Sequence, residues 1–309
     1  MPDSYDVIIV GASNAGLSAA LTLGRARRSV LLLDGGAPRN APADAAHGFL
    51  TRDNTPPGDI LRLGREQLAP YPVELRRAEA LFARVTPEGV QVEMVGGQLA
   101  QARRLLLATG VRDVLPEVPG LPERWGKSVH HCPYCHGWEV RDRPVAIFNE
   151  GEMAFHQTVM LSQWTADLML LTGGPTRLTG EQRRQLEALG IAIDERPVAR
   201  LEGPGHELEA VIMQDGARVR RSALFVQPRL EQRTHLPVQL GCDLTDDGIF
   251  VKVSAQGETS VPGVYAAGDM AGAPSQVISA AANGAMAAAM LNGALIFADA
   301  ERRASTARR

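Results

Sequence analysis

A chain of 309 residues, 45% of them apolar, is long enough for two domains with real cores, and its 31 glycines point to tight turns or to backbone lying close against a ligand. A formal charge of -3 provides no basic face for nucleic acid. Three cysteines, two of them in one motif, do not make the disulfide framework of a small extracellular protein.

The chain opens MPDSYDVIIVGASNAG, with Asp3 and Asp6 where a secretion signal carries basic residues, so a cytoplasmic protein is expected. Residues 5–10 read as a buried strand, 11–16 as a turn, 17–25 as a helix and 29–33 as a second strand ending at Asp34. The turn is Gly-x-Ser-x-x-Gly. Gly11 permits the tight bend, Ser13 is small enough for a phosphate to approach, and Gly16 lets the helix lie against the strand, its free N–H groups facing a pyrophosphate. Asp34, 18 residues after Gly16, is placed to accept hydrogen bonds from a ribose. A dinucleotide site follows from strand, turn, helix and acid in register.

Residues 37–59, APRNAPADAAHGFLTRDNTPPGD, form a long loop rich in Pro and Asp, of a length that is usually functional or disordered. RRLLLATG, at 103–110, is a strand running into a small-residue turn, and LPEVPGLPERWG, at 115–126, is a Pro-rich link. Then comes HHCPYCHGW, at 130–138, which admits three chemistries. Cys132 and Cys135 with the surrounding histidines offer zinc ligands. Cys132, Cys135 and His136 also spell the attachment signature of a c-type haem. The two thiols can equally open and close as a disulfide, and the local string does not choose.

From Arg143, RPVAIFNEGEMAFHQTVMLSQW repeats strand, turn and helix, ADLMLLTG is the next strand, and DGARVRRSALFVQPR reads as a hairpin-like end to this region. At 261–288 a strand leads to Gly268-Asp269 and then to a helix starting around 275–277. Residues 277–298 are long enough to cross a membrane, but they are mostly alanine with Ser279, Asn283 and Asn292, which favours a packed helix of a soluble protein. The charged tail ADAERRASTARR is expected to fray.

The first turn, the ATG segment and the AAGD segment together resemble the FAD-dependent pyridine nucleotide–disulfide oxidoreductases, in their low-molecular-weight thioredoxin reductase branch, over essentially the whole chain. The resemblance implies an α/β protein with two Rossmann-like, three-layer nucleotide-binding domains. The FAD domain is discontinuous, 1–115 and 240–309, and 116–239 is an NADPH-domain-like insert carrying the Cys-x-x-Cys. Gly11, Ser13, Gly16 and Asp34 then bind FAD. Arg39 and Asn40 cover its adenosine side, and Ala108, Thr109 and Gly110 complete the site. Gly268 and Asp269 hold the ribityl–phosphate part, and Gln276 and Val277 lie by the pyrimidine end. The 37–59 loop is expected to fold over the flavin, with His47 and Phe49 reaching the substrate side.

Members of this branch bind NADPH through a Gly-x-Gly-x-x-Ala turn. Here Asn149 stands for the first glycine, Gly151 and Ala154 are kept, and Glu150 and Glu152 bring acids to where a pyrophosphate approaches. A helix dipole offsets such repulsion by only about 0.3–1 kcal/mol. After Leu171 the stretch TGGPTR has Arg177 as its only cation for a 2'-phosphate. The insert is therefore expected to keep its fold and to have lost efficient NADPH binding.

The same resemblance makes Cys132 and Cys135 a redox pair rather than metal or haem ligands, with Cys135 the inner thiol toward the flavin and Cys132 the outer, exchanging one. Pro133 stiffens their loop. His136 stands where thioredoxin reductases usually carry aspartate and, with a pKa near neutrality, suits a general base; His131 is a second candidate, lowering the Cys132 pKa. These departures resemble the flavin-dependent dithiol oxidases that close the disulfides of gliotoxin- and holomycin-type natural products. That implies a small-molecule dithiol and O2 as partners, no nucleic acid, no membrane and no metal, and a homodimer is expected. Tyr134 and Trp138 are expected to wall off a small-molecule pocket. The alternative is a disulfide reductase fed by NADPH or another donor, which Glu150 and the missing cations disfavour.

Overall fold

A computed structural model describes residues 3–151, 153–272 and 274–306. The chain divides into two units: one holds the N-terminal segment to Arg39, Gly58–Arg112 and the segment from Leu230; the other holds Asn40–Pro57 and Asp113–Arg229. The chain thus passes between them at 112/113 and 229/230, against the 115/116 and 239/240 read from the sequence, and segment 40–57 belongs to the second unit.

In the first unit the strand Asp3–Val10 lies parallel to Val30–Leu33 on one side and to Leu99–Leu107 on the other. Val73–Arg76 extends the sheet beyond Val30–Leu33. Leu99–Leu107 is shared: its early residues pair with the antiparallel strand Gly89–Met94, which pairs in turn with Ala80–Thr86, while Leu105–Leu107 pair with the strand Val264–Ala266. Alternation sorts the side chains. Val7, Ile9, Leu32 and Leu106 face one core, with the helices Asn14–Arg25 and Val277–Thr306. Ile8, Val10, Leu31, Leu33, Leu105 and Leu107 face the other, over Val90, Val92 and Met94. A strand buried on both faces reads as a continuous apolar run, as VIIV and VLLL do.

The second unit repeats the pattern. Its parallel sheet runs Ala192–Asp194, Leu168–Leu171, Val145–Phe148, Ala223–Val226 and Val129–His130, and a separate antiparallel sheet holds Val198–Glu202, Ala210–Met213 and Arg218–Arg220. In both units the first strand after the repeat begins sits between a strand it reaches directly and one that joins later, so the strand order reverses beside it. A nucleotide binds at the carboxyl ends of the strands at such a point. The expectation of Rossmann-like α/β architecture, with the first unit discontinuous, holds.

Two local expectations are corrected. DGARVRRSALFVQPR is not a hairpin: Arg218–Arg220 pairs back to Ala210–Met213, whereas Ala223–Val226 enters the parallel sheet beside Val145–Phe148. The tail stays helical to Thr306, because Asp299 is held by Arg28 and Arg103. The long C-terminal helix packs on one side only. Gly284, Ala287, Ala288, Leu291 and Leu295 are buried, and a Cβ at Gly284 would stand 2.0 Å from the Ala15 carbonyl oxygen. By length and composition the helix could cross a membrane, and only 28% of its most apolar stretch is buried. Met286, Met290 and Phe297 lie exposed on it.

Candidate active site

The first turn is built from backbone contacts that only glycine permits. Gly11 has φ 109°, and a Cβ there would stand 2.3 Å from the Ala108 carbonyl oxygen; a Cβ on Gly16 would stand 1.7 Å from the oxygen of Gly11. Ser13 is the N-cap of the helix Asn14–Arg25 yet makes no side-chain capping bond, which leaves the first-turn N–H groups for another acceptor. Asp34, buried at the end of its strand, accepts from the Gly36 N–H at 2.9 Å and from Arg65 at 3.0 Å. Asp269 pairs with Arg39 at 3.0 Å, and the Thr109 hydroxyl meets the Met270 sulfur at 3.4 Å. Nothing lies within 4 Å of the Cβ positions of Gly35, Gly36 or Gly110, so the backbone faces open space where small residues are expected to meet a ligand. Uncapped N–H groups, a buried acid at the strand end and open glycine backbone fit a dinucleotide such as FAD. Ala108, Gly268, Gln276 and Val277 belong to the same unit, whereas Asn40 begins the segment held by the other. Arg65 was not read from the sequence; an arginine on an amphipathic surface helix gives no sign that it reaches Asp34.

The second turn is closed by its own side chains. Asn149, 7% exposed, accepts the Gly151 N–H on its Oδ1 at 2.8 Å, so the amide that a phosphate would take is already engaged. The Asn149 Nδ2 donates to Gln157 Oε1 at 3.0 Å. The Glu150 carboxylate folds toward Gly173, in the turn after the strand Leu168–Leu171, 2.7 Å from where a Cβ on that glycine would be. Glu150 thus lies against this turn while remaining exposed to solvent. Glu152 lies outside the described residues.

Cys132 caps the short helix Pro133–His136, and its carbonyl accepts from the N–H groups of Cys135 and His136, both at 3.2 Å. The two sulfurs lie 2.6 Å apart, both half-buried. Pro133 is buried and supplies the first helical residue without needing an N–H partner. His136 stacks on His130, ring centroids 4.3 Å apart, and meets His47 edge-on at 6.0 Å. Burial first, then neighbouring His47 and His131, lower the His136 pKa to about 4. This corrects the expectation of a near-neutral pKa: at neutral pH the imidazole is uncharged, and its Nδ1 has no hydrogen-bond partner among the described residues. Burial likewise pushes His130 well below the usual histidine value. His131 stacks against Trp125 at 5.7 Å, and its carbonyl oxygen accepts from Gln157 Nε2 at 3.4 Å.

His47 comes from segment 40–57, which is fastened to the second unit by the Asp44–Lys127 ion pair and by Pro42 against Gly126. Its ring nitrogens lie 3.7 Å from Asp53 and 3.6 Å from Glu139. Tyr134 and Trp138 are 66% and 65% exposed; Tyr134 meets Trp164 edge-on, and Arg141 lies over Trp138 at 3.9 Å. Among the described residues, no group of three or more His, Cys, Asp or Glu converges to hold a metal ion. Sequence reading missed Gln157, which looks like an ordinary helix residue, and offered His130 only as a zinc-ligand candidate, whereas it stacks on His136.

The chain matches a family model for the pyridine nucleotide-disulphide oxidoreductases over residues 5–284. It is 32% identical to the thioredoxin reductase sirT of Leptosphaeria maculans, with 96% of each chain covered. It is also 32% identical to the thioredoxin reductase tcpT of Claviceps purpurea, over 93% of this chain and 94% of that one. Among solved structures it is similar to HlmI, with 40% identity, a TM-score of 0.93 and 99% and 98% of the two chains covered. A putative thioredoxin reductase, TrxB from Bacillus anthracis, gives 32% identity and a TM-score of 0.91 over 96% and 99%.

Proposed function

Since the chain belongs to the pyridine nucleotide-disulphide oxidoreductase family, in its thioredoxin reductase-like branch, we propose that it is a dithiol oxidase, closing a disulfide within a small-molecule dithiol at the expense of O2. Disulfide oxidoreduction is its chemistry and FAD its cofactor. FAD, which the first turn, Asp34 and the Gly268–Asp269 segment would hold, would supply a two-electron acceptor for the reduced cysteine pair, with O2 as the final oxidant and hydrogen peroxide as its product.

The chain's own groups carry the thiol exchange. In the oxidised form Cys132 and Cys135 are joined. A substrate thiolate attacks the Cys132 sulfur, and Cys135 leaves as the thiolate. The second substrate thiol attacks the substrate sulfur of the mixed disulfide, Cys132 leaves, and the substrate disulfide is closed. Two electrons then reside on the cysteine pair and two protons have left the substrate. His136, uncharged at neutral pH, is assigned the first of those protons; its Nδ1 is buried and without a hydrogen-bond partner among the described residues. Tyr134 and Trp138 offer exposed aromatic surface beside the pair for an apolar substrate. The enzyme is taken as a cytoplasmic homodimer.

One observation carries the oxidase over the reductase: Asn149 occupies the Gly151 N–H and Glu150 lies against Gly173, where NADPH would be held. The test is anaerobic reduction of the bound flavin. A small dithiol should bleach it much faster than NADPH or NADH, and admitting air should restore the oxidised spectrum with hydrogen peroxide. Rapid, saturable reduction by NADPH overturns the oxidase and makes the protein a reductase.

A further inference from the structure

We propose that Gln157 is a positioning residue for the redox cysteines, joined to them by a one-way chain of hydrogen bonds that begins in the second nucleotide-type turn. The proposal rests on Cys132 and Cys135 being the exchanging pair.

The direction of every amide in this chain is determined. The Gly151 N–H is a donor and fixes Asn149 Oδ1 toward it, at 2.8 Å. Asn149 Nδ2 must then face Gln157, which presents Oε1 at 3.0 Å. That leaves Gln157 Nε2 toward the His131 carbonyl, at 3.4 Å. No member can flip without setting two donors or two acceptors against each other. Asn149 and Gln157 are each only 7% exposed, so water does not readily replace a lost partner.

The chain ends on the peptide plane that also contains the Cys132 N–H, since the His131 carbonyl and that N–H are held coplanar by the amide bond. The plane on the other side of Cys132 is held by its carbonyl, which accepts from Cys135 and His136. Both peptide planes flanking Cys132 are thereby pinned, one by the short helix and one by Gln157. The Cys132 backbone, at φ -112° and ψ 114°, sets the direction of its sulfur toward Cys135. The turn that engages its own amide thus has a use: it anchors the cysteine loop through the helix Ala154–Leu161.

The test compares oxidised, FAD-loaded protein carrying Q157E, Q157M or N149D with the parent, each mixed with dithiothreitol under argon. Opening of the disulfide is read as protein thiols trapped by alkylation plus flavin bleached, over a range of dithiothreitol. Q157E keeps the shape but loses the donor to His131. N149D keeps the acceptor for Gly151 and turns the Gln157 amide round, breaking the His131 bond from a distance. Each is expected to lower the limiting rate about tenfold, the worth of one hydrogen bond, with half-saturation within twofold of the parent. The Q157E and N149D effects should not add, because they cut one chain. Q157M removes the donor to His131, together with the acceptor for Asn149, without a buried charge. Limiting rates within twofold of the parent in all three, with flavin content retained, overturn the proposal. A parent whose disulfide does not open at all sinks the dithiol reading itself, and with it this role for Gln157.

Discussion

The depressed pKa of His136 makes a prediction about stability that needs no substrate. In the folded chain burial lowers it from 6.5 to about 4, while in the unfolded chain it keeps the ordinary value. Between those values the unfolded chain binds a proton that the folded chain refuses, so stability is full above about pH 6.5 and is lost as pH falls toward 4. At about 1.4 kcal/mol per pH unit the whole gap is worth on the order of 3 kcal/mol, and about 2.5 kcal/mol of it is gone by pH 4.5. That is a large part of the ~5–15 kcal/mol that holds a domain together. The perturbation is His136→Asn, which removes the titrating ring. Urea unfolding of FAD-loaded parent and variant at about pH 7.5 and pH 4.5 gives four stabilities. The carboxylates titrate in both proteins and largely cancel in the comparison; His130, lowered chiefly by burial, keeps that cause in the variant and loses only the part due to His136. The parent should lose about 2–3 kcal/mol more than the variant between the two pH values. Equal losses would show that His136 protonates freely in the folded protein, and the account of an uncharged, buried base would fail.

Other consequences are direct. Cys132→Ser or Cys135→Ser should each abolish dithiol-driven flavin reduction; full activity in either removes the exchange mechanism. His136→Ala should cost about 10²–10⁴ in rate, and a rate within twofold of the parent from pH 6 to 9 returns the residue to a packing role. Replacing Asn149 and Glu150 together by glycine frees the Gly151 N–H and clears Gly173, so NADPH binding measured by calorimetry should rise from undetectable to weak; no gain would mean that the turn was not what excluded it. Gly16→Val drives side-chain atoms into the Gly11 carbonyl, so the protein should purify without yellow colour, and a full flavin complement would refute the tight-turn reading.

The first turn could be read from sequence because its requirements are backbone requirements. Gly11 and Gly16 are glycines for steric reasons, and Asp34 ends a strand whose burial is written in its apolar run. The second turn could be read as altered, since Asn149 and Glu150 break a pattern, but not as self-engaged. That depends on an amide reaching back two residues and on Gln157 from the following helix. The pKa of His136 is not legible in the sequence for a related reason. A composition of histidines says nothing of burial, and the stack with His130 and the approach of His47 from some ninety residues earlier arise only in three dimensions. The helix Val277–Thr306 shows the converse limit: its composition hid how much of its apolar surface stays exposed.

Segment 40–57 gives the second unit two separate stretches of chain, so this unit cannot be cut out as one continuous piece of the gene. A fragment spanning 113–229 would leave behind Pro42, which covers Gly126, and Asp44, which pairs with Lys127. It would also lose His47, and with it the ring that lies edge-on to His136. Fusion, swapping or recombination of this unit between relatives therefore has to carry two inserts, and a chimera that takes only the longer one inherits the cysteines without the full surroundings that set the charge state of His136.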